Sequence, residues 1–249
     1  VGVVFFLIPY NLAMYGINDV FDYESDVRNP RKGGAEGALL APELHRPTLI
    51  AAAVATLPGV VWLVALGSWQ SWLVLAISLF SVLAYSMPPF RWKEIPLLDS
   101  VTSSAHFVTP ALYGLSVAEA EITPTSALAL PAFYLWGMAS HAFGAVQDVN
   151  SDRAAGIGSL ATALGARTTV WISAGLYLLA GVLMLLTPWP FTLIAAAVVP
   201  YLVAVLPFGA ITDETAQRAN KGWRWFLALN FLAGALVTLV GINAGYLPG

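Results

Sequence analysis

The sequence predicts an all-α, polytopic membrane helix bundle, one domain over residues 1–249. Three observations point to it: composition, the spacing of apolar segments, and the placement of charge. Hydrophobic residues make up 58% of the chain and charged residues only 10%, and the mean hydropathy is +0.74. Soluble domains carry about 25% charged residues, so a surface this poor in charge belongs in lipid. The absence of cysteine excludes disulfides, thiolate catalysis and zinc–thiolate sites. A net charge of −3 gives no general affinity for nucleic acid.

A hydrocarbon core of roughly 30 Å needs about 20 apolar residues per helix. Eight segments qualify, near 1–21, 48–67, 70–86, 98–116, 125–147, 168–187, 190–209 and 223–246, the fourth being the most polar. All eleven Lys and Arg residues fall in four of the connections or their helix ends. Arg28, Arg31, Lys32 and Arg46 lie in the first, Arg91 and Lys93 in the second. Arg153 and Arg167 lie in the third, and Arg218, Lys221 and Arg224 in the last. The alternate connections, near Gly67, Ala118 and Pro188, carry none. The positive-inside rule makes the basic side cytoplasmic and puts both ends of this chain on the outer side. Trp69, Trp72 and Trp189 near the outer ends fit an interfacial aromatic belt.

The chemistry sits at two helix ends on the basic side. The first span runs into Asn18, Asp22 and Asp26, spaced i, i+4, i+8, so three oxygen-bearing side chains share one helix face. Asp19 and Glu24 lie off that face. The fifth span ends in Asp148 and Asp152, again i, i+4. Mg²⁺ takes oxygen ligands, one or two carboxylates completed by water and substrate phosphate, and the neighbouring cations suit a diphosphate. One acidic pair is an ordinary solvated flank, and loop cations ordinarily set topology. Two acidic clusters at matching depth, with basic loops between them, outweigh both readings. A cation-coupled secondary transporter is the alternative of another class. Its ion sites lie near the bilayer midplane, often on broken helices, whereas these carboxylates sit at the ends beside Arg and Lys. A structural scaffold needs no paired acidic clusters.

The stretch Asn18-Asp19-Val20-Phe21-Asp22-Tyr23-Glu24-Ser25-Asp26 resembles the first Asp-rich motif, NxxxDxxxD, of the UbiA superfamily of membrane prenyltransferases. Asp148-Val149-Asn150-Ser151-Asp152, followed by Gly156 and Ser159-Leu160-Ala161-Thr162-Ala163-Leu164-Gly165, resembles the second, DxxxD. Tyr85-Ser86-Met87-Pro88-Pro89-Phe90-Arg91-Trp92-Lys93 is similar to the loop between the motifs. The resemblance implies a nine-helix bundle, of which this chain carries eight, the first lying upstream of residue 1. It implies a Mg²⁺-dependent transfer of an allylic prenyl group from its diphosphate to a hydrophobic acceptor. By the same resemblance Asn18, Asp22, Asp26, Asp148 and Asp152 hold the metal. Arg28, Tyr85, Arg91, Lys93 and Arg153 bind the diphosphate, and Asp22, Asp148 and Lys93 carry catalysis.

The segment Asn29-Pro30-Arg31-Lys32-Gly33-Gly34-Ala35-Glu36-Gly37 is most similar to the carotenoid branch, the lycopene elongases. That branch implies dimethylallyl diphosphate as donor and lycopene as acceptor, in fifty-carbon carotenoid synthesis. A quinone or other aromatic acceptor is the alternative, since relatives of that kind more often carry an Arg-Pro stretch directly there. Here Arg46-Pro47 comes later. The span interiors offer Asn11, Tyr15, His106 and His141 as cavity-lining candidates, with Phe21 and Tyr23 beside the first motif. Asp22, Asp19 and His106 are candidate bases. The expected setting is a prokaryotic plasma membrane with the site facing the cytoplasm, and association with other isoprenoid-pathway enzymes is compatible with it.

Overall fold

The computed structural model describes residues 2–27 and 39–245, apart from the side chains of Ser25 and Leu227. The described residues are helical or in connections, with no strand among them. In chain order the helices are α1 (Gly2–Leu7), α2 (Pro9–Asp26), α3 (His45–Leu66), α4 (Trp69–Ser86), α5 (Leu98–Val117), α6 (Pro124–Val146), α7 (Val149–Ala155), α8 (Leu160–Leu164), α9 (Ala166–Leu185), α10 (Val198–Val205) and α11 (Asn220–Asn243). The 3₁₀ segments Phe191–Ala197 and Leu206–Phe208 flank α10, and Asp213–Ala219 leads into α11.

Each expected span has its helix, most within about three residues of the expected ends. Among the described residues, six helices or helical runs are long and apolar enough to cross a membrane. The other two, α5 and α6, have the length, 20 and 23 residues, but are more polar. Asp99, Ser100, Thr102, Ser104, His106 and Thr109 on α5 and Ser140 on α6 are all buried, so these side chains face protein. The first span is broken at Pro9, which has no N–H for the helical ladder. The seventh is only partly α-helical, and Pro200 within it removes another ladder donor.

The chain divides into two compact units, residues 1–93 with 109–120, and 94–108 with 121–249. In the first unit α2 packs on α3 and α4. Phe5, Tyr10, Ile17, Leu63, Leu75 and Tyr113 fill its core. Tyr113 donates to the Leu63 carbonyl at 3.3 Å, and Thr109 Oγ1 to Ser78 Oγ at 2.9 Å, so these polar atoms are satisfied inside. The outward faces of α3 and α4 carry Val54, Leu57, Val61, Trp62, Trp69 and Trp72, all exposed, as a lipid-facing surface requires.

In the second unit α6 packs chiefly on α9. Small residues cluster between them, Ala139 with Ala166 and Ala174, and Ala132 with Ala180, and let the helices approach closely, which is how helices associate where lipid removes the hydrophobic drive. Ser104 Oγ donates to the Tyr134 carbonyl at 2.6 Å, and Tyr134 Oη to the Val101 carbonyl at 2.7 Å, tying α5 to α6 reciprocally. Ser140 Oγ pairs with Tyr177 Oη at 2.8 Å, and Tyr201 Oη donates to Asn230 Oδ1 at 2.8 Å. On α11, Phe231, Leu232 and Leu239 are exposed toward lipid.

Gly222, near the start of α11, sits against α10. A Cβ there would lie 2.5 Å from the Ala204 carbonyl oxygen, 2.7 Å from the Phe208 ring and 3.0 Å from Phe143. Gly222→Ala is therefore expected to destabilise the folded protein by about 1–3 kcal/mol, the usual cost of overpacking, read as a lower midpoint of thermal unfolding in detergent. Gly234→Ala on the same helix, where nothing lies within 4 Å, is the neutral control.

Candidate active site

The first acidic face ends α2. Its spacing is i, i+4, i+8, and the helix runs without interruption from Pro9 to Asp26, so Asn18, Asp22 and Asp26 rise along one side. Asp22 and Asp26 are buried. A buried carboxylate is tolerable only when it is paired, and Asp22 Oδ1 forms an ion pair with Lys93 Nζ. Lys93 arrives from the connection after α4. That connection turns at Met87, whose carbonyl accepts from the Phe90 and Arg91 amides at 3.1 Å each, and then enters a 3₁₀ turn over Trp92–Glu94. Phe80, Phe90 and Trp92 pack edge to face and seat the turn on α4. Arg91 holds a positive φ of 42°, uncommon for a residue with a side chain. Its guanidinium donates to the Phe21 carbonyl at 3.2 Å. Ser86 Oγ donates to Asn18 Oδ1 at 2.9 Å. The loop between the motifs thus reaches the first of them through Lys93, Arg91 and Ser86, and Tyr85 sits half-buried one residue before Ser86.

Three further expectations fall in this unit. Asn11 donates its amide to the Phe6 and Leu7 carbonyls, both at 3.0 Å, bracing the Pro9 break in its own helix. Tyr15 is 57% exposed, on the surface of the unit. Tyr23 stacks edge to face on His45. Arg28, with Arg31, Lys32 and the glycine-rich stretch 33–37, lies outside the described residues.

The second acidic end differs from the expectation in one respect. The fifth span does not contain it: α6 stops at Val146, the chain turns at Gln147, and Asp148 is the N-terminal flank of the separate helix α7. The i, i+4 relation survives, because the Asp152 amide donates to the Asp148 carbonyl at 2.9 Å. Both carboxylates are half-buried. α7 closes at Gly156, whose φ of 73° suits glycine alone without strain, and the Ile157 amide returns to the Asp152 carbonyl at 2.8 Å. Arg153 directs Nε and Nη2 to the Thr162 carbonyl, at 3.1 and 2.8 Å, and Nη1 to Asp213 Oδ2 at 2.6 Å.

The same unit holds a buried polar group that motif spacing does not reveal. Asp99 is fully buried at the start of α5; its Oδ1 accepts from the Ser100 amide at 2.7 Å and its Oδ2 from the Leu160 amide at 2.8 Å. His141 Nδ1 lies 3.3 Å from Ser100 Oγ and 4.0 Å from Asp99 Oδ2. His141 is therefore held by α5, and His106 is buried one face-repeat further along that helix.

The donors at both acidic ends are oxygen only, the kind a hard cation takes. Among the described residues, no three acidic or histidine side chains converge as a ready-made cage. At each end such carboxylates suit a hard cation whose remaining positions are taken by water and phosphate.

A model of the UbiA prenyltransferase family matches residues 1–242. The chain is 54% identical over 241 residues to the C(50) β-cyclic carotenoids biosynthesis protein LbtBC of a Dietzia species, covering 96% of this chain and 56% of that protein's length. It is 50% identical over 239 residues to a lycopene elongase/hydratase of Corynebacterium glutamicum, covering 96% and 83%. In fold it is similar to a UbiA homologue from Archaeoglobus fulgidus solved with DMAPP and Mg²⁺, with a TM-score of 0.64 over 93% of this chain and 87% of that one, at 17% identity. With the family model matched over residues 1–242 and relatives at 50% identity or more along 96% of its length, the chain belongs to the UbiA prenyltransferase family.

Proposed function

We propose that the protein transfers the dimethylallyl group from its diphosphate to lycopene, in the plasma membrane of a prokaryote, with the acidic helix ends facing the cytoplasm. The observation that carries the reading is the buried Asp22–Lys93 ion pair at the end of α2. It sets a carboxylate for a metal and an ammonium for a phosphate oxygen side by side. When donor and metal arrive, each charge exchanges its partner for another of the same sign, so the buried charge stays compensated throughout. Asn18, Asp22 and Asp26 on α2, and Asp148 and Asp152 about α7, are the proposed oxygen ligands. Lys93, Arg91, Tyr85 and Arg28 are the proposed diphosphate contacts. When bound, Mg²⁺ supplies neutralisation of the charge that builds on the departing diphosphate. Lys93 and Arg91 add donors to the same oxygens, which favours heterolysis to an allylic cation.

The acceptor follows from where cations are missing. A benzoate-type acceptor brings a carboxylate, which is costly to bury without a partner. Every Lys and Arg of this chain lies in the four connections or their helix ends, and none in a span interior. A hydrocarbon polyene needs no such partner. The names of the Dietzia and Corynebacterium relatives support the same acceptor, and the charge asymmetry supports the orientation.

Asp22→Asn and Asp148→Asn keep side-chain volume and remove the charge. Each is expected to lower turnover on the order of a hundredfold or more, beyond what second-layer partners of a metal cost, and EDTA is expected to abolish activity of the unaltered protein. Folded variants with normal turnover would remove the site assignment. In a competition assay with lycopene and 4-hydroxybenzoate as acceptors and labelled dimethylallyl diphosphate as donor, label is expected in lycopene products. Label confined to the benzoate would overturn the acceptor.

A further inference from the structure

The connection from α7 to α9 contains an ion pair inserted into a broken helix. Were α8 to continue into α9, the Ala166 amide would donate to the Thr162 carbonyl, four residues back. Gly165, at φ 82° and ψ 159°, separates the two groups and leaves both without their ladder partner. Arg153 takes the carbonyl with two nitrogens, at 3.1 and 2.8 Å, and Asp213 Oδ1 takes the amide at 2.7 Å. Arg153 and Asp213 then meet at 2.6 Å. A side-chain ion pair thus stands where one backbone hydrogen bond was lost. Asn150 adds a second tie, its Nδ2 donating to the Asp213 carbonyl at 2.6 Å.

Both ties leave α7 on one side. At 3.6 residues per turn, Asn150 and Arg153 share a face, and Asp148 and Asp152 point the opposite way. The far end of α8 is gripped as well, since Asp99 Oδ2 accepts from the Leu160 amide at 2.8 Å. The short segment behind the second acidic motif is therefore fixed at its two ends by Asp99 and Asp213, carboxylates far from that motif in sequence, and by Arg153 beside it.

We propose that Arg153 is a positioning residue, which with Asp213 forms a strut that orients Asp148 and Asp152, and that it does not bind the diphosphate. The inference rests on the function proposed above and replaces the diphosphate-binding role that the family resemblance implies for Arg153. The pair is too exposed for its own attraction to matter greatly, as surface ion pairs contribute little; its effect is on geometry.

The two roles predict opposite signs for Asp213→Asn. If Arg153 were a diphosphate ligand, removing the competing carboxylate would free it and reduce repulsion, and anion binding would tighten. If the pair is a strut, binding weakens. The test is calorimetric binding of inorganic pyrophosphate with Mg²⁺ to the purified full chain in detergent. Asp213→Asn and Arg153→Gln are each expected to weaken it roughly tenfold or more, the effect typical of partners that orient ligands. The double variant is expected to be no worse than either single one. Arg153→Lys decides the matter if Asp213→Asn fails to fold: an ammonium can serve a phosphate as a point charge but cannot bridge Thr162 and Asp213, so it is expected to behave like Arg153→Gln. Tighter or unchanged binding in Asp213→Asn, or full binding in Arg153→Lys, overturns the strut. An unaltered protein that fails to bind pyrophosphate with Mg²⁺ overturns the proposed function, and the strut with it.

Discussion

A carboxylate buried in a membrane-embedded bundle must be met by a cation or by N–H donors, because desolvating a lone charge costs several kcal/mol. This chain places its few charges under that constraint. Asp22 is met by Lys93. Asp99 is met by the Ser100 and Leu160 amides. Asp213, only partly buried, is met in the same way by Arg153 and the Ala166 amide. Each of these carboxylates has at least one partner distant in sequence, so charge compensation helps dictate where the connections go. The turn after α4 has to return to the end of α2, and the start of the 213–219 segment has to reach the start of α9.

The same constraint explains why the carboxylates can be functional. A site for a metal and a diphosphate contains much charge of both signs, and it must be stable before the substrate comes. An internal lysine serves as the resting partner of Asp22 without closing a rigid all-protein cage. The apolar exterior plays the complementary part: exposed Val, Leu, Trp and Phe residues on α3, α4 and α11 cover the bundle with surface that only lipid solvates well.

Much of this was legible in the sequence, for physical reasons that are specific. Helices in lipid must satisfy every backbone group internally, so runs of apolar length translate directly into spans, and the ends came out close. The i, i+4 spacing of Asn18, Asp22 and Asp26 survives because that helix is regular to its end. Lys93 meets the first motif because a short loop returning to the same side has few places to go. Other features depend on tertiary partners that no local pattern encodes. The break between α6 and α7 at Gln147 and the break at Gly165 follow from chain reversal behind the motif. Asp213 sat in a polar stretch that reads as an ordinary loop, and its partners lie 47 and 60 residues away. Asn11 uses its amide on the Phe6 and Leu7 carbonyls beside Pro9, a local tie that face periodicity alone does not announce.

In the proposed function metal and diphosphate bind as a unit, the diphosphate completing the coordination that the carboxylates begin. Electron paramagnetic resonance of Mn²⁺ added to the purified protein measures this directly. Weak Mn²⁺ binding without ligand, strengthened markedly by dimethylallyl diphosphate and lost in Asp22→Asn, is expected. Mn²⁺ bound equally tightly with and without the diphosphate, or undisturbed by Asp22→Asn, would contradict it.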